Sequence, residues 1–121
     1  MFPLLAALAL AGCGSQEPGR TISFKNDIKP LLDKHCLSCH GEAGPGQRAA
    51  ELRLDSYNNL MSGGKNGPVV VAGKVDKSPL LISVHPSIDA TKQMPMRTAV
   101  KLSKTEIRVI ETWVRQGAKN N

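Results

Sequence analysis

Cys36-Leu37-Ser38-Cys39-His40 holds two thiols and an imidazole within five residues. The two intervening residues put the sulfurs about one helical turn apart, and the imidazole follows directly. Several chemistries compete for such a string. A redox C-x-x-C pair belongs to alternating strands and helices of the thioredoxin type, and the chain has no such alternation. A structural zinc site needs four ligands, commonly a second paired set; only His35 and His85 remain, and they are not so paired. A plain disulfide would leave His40 without a role. The chemistry that uses all three residues is covalent attachment of c-type haem. The two vinyl groups lie on adjacent pyrrole rings, and each takes up one thiol as a thioether. His40 then offers the iron a borderline-soft nitrogen that suits either redox state. One covalently bound haem c is expected, held by Cys36, Cys39 and His40.

The composition agrees with a cofactor-centred fold. A chain of 121 residues forms one domain. Its aromatics are Phe2, Phe24, Tyr57 and Trp113, and the first lies in the N-terminal apolar stretch. Eleven glycines and eight prolines indicate many loops. Few aromatics and long loops suggest that something other than side chains fills the centre, and a porphyrin would do so. The net charge is +6, with no long basic run interleaved with aromatics, so no nucleic-acid surface is expected. A basic face that docks an acidic redox partner fits better.

The N-terminus carries its own signal. Residues 2–11 are uncharged and mostly apolar, too short to cross a bilayer as a helix, which takes about 20 residues, but suited to an export signal. Leu10-Ala11-Gly12-Cys13 resembles the lipobox of bacterial lipoproteins. In that family cleavage falls just before the cysteine and its thiol is joined to a diacylglycerol. The usual positive region ahead of the apolar stretch is missing. Residues 14–20, rich in Gly, Pro and polar side chains, read as a tether. The expected organisation is a signal at 1–12, a lipidated Cys13 with tether at 13–22, and a haem domain at 23–119. Export agrees with haem attachment, which in bacteria takes place outside the cytoplasm. The expected location is the periplasmic face of a bacterial membrane.

Within the domain, Ser23 is placed to cap a helix running to about Cys39, with Pro30 delaying its start or kinking it. Ile28, Leu31, Leu32 and Cys36 form its apolar face. Residues 41–54 read as a loop around the haem, with Leu52 and Leu54 lining it. Asp55 or Ser56 caps a short helix that Gly63-Gly64 ends. Ser78-Pro79 opens another. Ser103-Lys104-Thr105-Glu106 is a capping box, followed by a stripe of Ile107, Ile110 and Val114 beside Val109 and Trp113, with Gly117 at the end. Methionine opposite histidine raises the potential of an electron carrier, and Met94 is the expected sixth ligand. It lies in a loop before the last helix, and Pro95 stiffens the backbone beside it. Met96 and His85 are the rivals. Met61 sits in a helical apolar pattern, and His35 lies on the attachment side.

These pieces together resemble class I cytochromes c, and most closely the planctomycete-type cytochrome c domain. The resemblance runs from Phe24 with Ile28-Lys29-Pro30-Leu31-Leu32 through the haem motif to Leu52-Arg53-Leu54-Asp55-Ser56. It continues with Gly63-Gly64, Val71-Ala72-Gly73, Ser78-Pro79-Leu80-Leu81, Met94-Pro95, Leu102-Ser103, Trp113-Val114 and Gly117-Ala118. It implies an all-α fold of several short helices and long loops, with Met94 as axial ligand and electron transfer as function. The family usually has a second proline where this chain has Met96, which keeps Met96 in play. The alternative function is a haem enzyme or a gas or redox sensor with an open sixth position.

Overall fold

Ser23 opens the first helical segment: its hydroxyl accepts a hydrogen bond from the Asn26 N–H at 3.0 Å, satisfying one donor that a helix start leaves unpaired. The computed structural model describes residues 19–96 and 100–121. The expected signal and Cys13 lie outside the described residues.

Phe24–Ile28 winds as a wide π-helical turn and runs directly into α1, Lys29–His35. Pro30 therefore falls in the first turn of α1, where a missing N–H costs nothing. The α-helix proper thus starts only at Lys29, later than the Ser23 cap, and a π-helical turn occupies the residues before it. The helix also stops earlier than expected. Cys36 leaves helical geometry at φ −120°, and a separate turn, α2, spans Leu37–His40. Residues 41–54 are not all loop: Pro45–Ala50 form α3, with Pro45 in its first turn. The remaining helices are α4 (Tyr57–Ser62), α5 (Pro79–Val84), preceded by a 3-10 turn at Val75–Lys77, and α6 (Lys104–Arg115). No strand occurs among the described residues, only an isolated bridge between Gly64 and Gly67. The fold is all-α, as expected.

Ser56 caps α4 through Asn59, and Ser103 and Glu106 complete both bonds of the capping box on α6. Ser78 behaves differently. It precedes Pro79 as expected but makes no side-chain cap. Its fully buried hydroxyl instead donates to the Lys74 carbonyl at 2.8 Å and accepts from the Val71 N–H at 2.9 Å, closing the 71–78 loop on itself. A buried hydroxyl must find partners, and this loop supplies them before the helix can.

The core joins the first turn, α1, α5 and α6. Ile28, Leu32, Leu54, Leu60, Leu81, Val84, Ile110, Trp113 and Val114 are all buried in it. Phe24, Tyr57 and Trp113 form one cluster, with ring centroids 5.3 to 6.4 Å apart. Residues 22–24 meet the C-terminal residues beside it: the Asn121 carboxamide accepts from the Phe24 N–H at 2.8 Å, and Gln116 accepts from the Ile22 N–H at 2.8 Å. Met61 packs partly buried against the same core. No helix of the described residues is long and apolar enough to cross a membrane.

Candidate haem site

The C-x-x-C-H turn is held from behind by residues 52–54. The His40 ring, on a buried residue, places Nδ1 3.1 Å from the Leu52 carbonyl oxygen. A carbonyl can only accept, so Nδ1 is the donor, and in the neutral ring Nε2 is the nitrogen that keeps its lone pair. The Leu54 N–H donates back to the His40 carbonyl at 2.8 Å. Ring and backbone of His40 are thus fixed by two neighbouring residues. This is the arrangement a metal-binding histidine needs, because the bond at one nitrogen orients the other. No residue among those described takes up Nε2.

The space at that edge depends on glycine. A Cβ on Gly46 would lie 2.7 Å from Cε1 and 2.8 Å from Nε2 of His40, closer than carbon contacts allow. Gly44 lets the loop approach the attachment turn in the same way, since a Cβ there would lie 2.3 Å from the Cys39 carbonyl. Cys36 and Cys39 are free thiols and partly exposed. Burial pushes the Cys36 thiol up to about 11, and the neighbouring Cys39 adds to the shift, so Cys36 stays protonated at neutral pH. Two available thiols, an imidazole with its lone pair free, and a glycine that leaves its edge open form a donor set that fits haem c. They do not fit zinc: no cluster of three His, Cys, Asp or Glu side chains able to hold a metal occurs among the described residues.

The other candidates separate by environment. Met94 packs partly buried against the core, and its N–H donates to the Ser83 carbonyl at 2.8 Å; the Met94–Pro95 peptide is cis. Met96 is 42% exposed. His85 is exposed and shares a 2.7 Å hydrogen bond with Ser87. His35 is buried and turned towards α6, with Nε2 2.8 Å from a carboxylate oxygen of Glu106.

Neither the His35–Glu106 contact nor the Leu52 carbonyl is visible in the sequence as a functional feature. Glu106 thus serves two structures, the cap of α6 and the tie from α6 to the residue before Cys36. Hydrogen bonding from the Ser103 N–H and from His35 brings its carboxyl from 4.5 down to about 2. A carboxylate whose pKa falls on folding contributes stability that is present above about 4.5 and lost as the pH falls towards about 2. The difference in unfolding free energy between wild type and Glu106→Gln should therefore shrink across that window. Urea unfolding at several pH values would measure it; a constant difference would refute the linkage.

An all-helical domain whose first helical segment is followed directly by C-x-x-C-H, with the histidine ring held by a carbonyl, is built as a c-type cytochrome. The sequence model of the planctomycete cytochrome C family matches residues 36–96, from the first motif cysteine to Met96. That is half of the chain, and the chain belongs to this family. Membership implies haem c as the cofactor. No curated protein and no solved structure matches the chain.

Proposed function

We propose that this c-type cytochrome is a single-haem electron carrier tethered to the periplasmic face of a bacterial membrane. Cys36 and Cys39 attach the haem, and His40 and Met94 ligate the iron. The observation that carries this is the His40 ring: its Nδ1 proton is committed to the Leu52 carbonyl, so Nε2 is oriented as a ligand before any metal arrives. Bound haem supplies a one-electron couple. The protein's part would be to hold the two donors, His40 and Met94, and to exclude water from them, which favours transfer over ligand exchange or catalysis. Met94 suits the second donor because its backbone is tied to α5 and its side chain already lies against apolar neighbours. The basic balance of the chain favours acidic redox proteins as partners. Lipid on Cys13 would supply the anchor, since two or more acyl chains hold a protein stably on a membrane where one does not.

Expression of the full chain with a c-type haem maturation system tests the reading. The purified protein should give a pyridine haemochrome of one haem with two thioether links, and Cys36→Ala plus Cys39→Ala should abolish covalent haem. Absence of haem in the wild type would sink the proposal. Cells fed labelled fatty acid should label the wild type and not Cys13→Ala; an unlabelled wild type would remove the anchor and leave the carrier.

A further inference from the structure

Lys101 lies beyond the methionine loop, just before α6, and points back into it. Its ammonium donates to the Gln93 carbonyl at 3.1 Å and also to the Pro95 carbonyl. These are the carbonyls of the residues immediately before and after Met94. Lys101 has no carboxylate partner among the described residues, so both contacts are to neutral backbone. The loop is tied on its other side as well. The Met94 N–H donates to Ser83, the Gln93 N–H to Asp89 at 2.9 Å, and the buried Gln93 carboxamide to the Val84 carbonyl at 3.0 Å. Every one of these ties except the Lys101 pair runs to α5 or the turn after it. Lys101 links the loop to the chain that enters α6.

We propose that Lys101 is the positioning residue of the sixth ligand. Its ammonium bridges the carbonyls flanking Met94 and thereby fixes where the thioether lies. Hydrogen bonds from a charged donor are stronger than neutral ones, and two from one nitrogen fix the separation of the two carbonyls as well as their direction. Without the clamp, residues 93–95 stay attached to α5 but lose the contact that pulls them towards α6. Met94 then exchanges with other ligands more readily. This inference rests on the His40/Met94 reading above.

Exogenous imidazole is the probe. It binds ferric haem by displacing the methionine, so its apparent affinity rises with the fraction of molecules in which Met94 has let go. In full-length holoprotein, Lys101→Met should retain covalent haem and the wild-type far-UV circular dichroism. It should weaken the long-wavelength ferric band that marks methionine ligation and bind imidazole about tenfold tighter or more, equivalent to about 1.4 kcal/mol. Lys101→Arg, which keeps a cationic donor, should restore near wild-type behaviour. A purely structural role would lower thermal stability and leave imidazole affinity alone. Wild-type affinity and a full band in Lys101→Met overturn the proposal, provided Met94→Ala has lost the band. If Lys101→Met does not load haem, Lys101→Gln decides, and an unchanged affinity there overturns it equally. A wild type without the band, or a Met94→Ala that keeps it, refutes the underlying ligation and this inference with it.

Discussion

Met94→Ala should keep its covalent haem yet lose the long-wavelength ferric band, and its reduction potential should fall by about 100 mV or more. Met96→Ala should change neither. The two methionines are two residues apart and chemically identical, so the difference is one of placement. Met94 has its backbone tied to Ser83 and its side chain against the core. Met96 leaves 42% of its surface in solvent. Ordering an exposed, flexible thioether on iron costs side-chain entropy of about 1 to 2 kcal/mol, a cost that Met94 has largely met already in the folded chain. Methionine opposite histidine favours the ferrous state, and water or hydroxide in its place favours the ferric state. Spectroelectrochemistry of the two variants would measure both effects. Loss of the band in Met96→Ala with retention in Met94→Ala would exchange the two assignments.

Trp113→Ala should destabilise the domain by about 3–5 kcal/mol. A domain of this size has a total stability of about 5–15 kcal/mol, so the variant should be close to unfolding at room temperature. Trp113 is fully buried and packs on Phe24 and Tyr57, 5.7 and 6.4 Å away by ring centroid. The three rings bring together the first turn, α4 and α6. The indole N–H donates to the Lys119 carbonyl at 3.0 Å, but Lys119 is exposed, so water can replace that bond and the loss comes mainly from the cavity. Trp113→Phe should therefore cost about 1–2 kcal/mol, keeping most of the apolar volume. Urea unfolding with unchanged slope and a shifted midpoint would give both numbers. A cost below about 1.5 kcal/mol for the alanine variant would show that the aromatic cluster does not hold the first turn, α4 and α6 together.

The scarcity of aromatics suggested a centre filled by porphyrin. The three folded aromatics gather in one cluster where the first turn meets α6, and the rest of the buried core is aliphatic. Composition counts side chains but cannot say where they meet.

Features set by neighbours within about four residues were legible from sequence. The haem motif is one, since its chemistry depends on a spacing of two residues. The caps at Ser23, Ser56 and Ser103 are others, because a capping hydroxyl reaches only the next turn. The family followed from the order of such pieces. Where local rules offered two outcomes, the conformation of the surrounding loop or turn chose. Ser78 had the right position for a cap, but the buried 71–78 loop claimed its hydroxyl. Pro30 threatened a kink, and a wide turn ahead of it removed the conflict.

The haem motif itself shows the same division. Sequence alone determined that Cys36, Cys39 and His40 stand together, since five consecutive residues cannot be separated by folding. It did not determine which nitrogen of His40 is free. That was decided by the Leu52 carbonyl, twelve residues on. Tertiary structure also turned His35 to Glu106, 71 residues away, and packed Met94 partly buried against the core while leaving Met96 in solvent. The physical reason is one of range. Bond geometry and single-turn hydrogen bonds act along the chain, whereas burial, ring orientation and the clamp from Lys101 exist only once distant segments have packed.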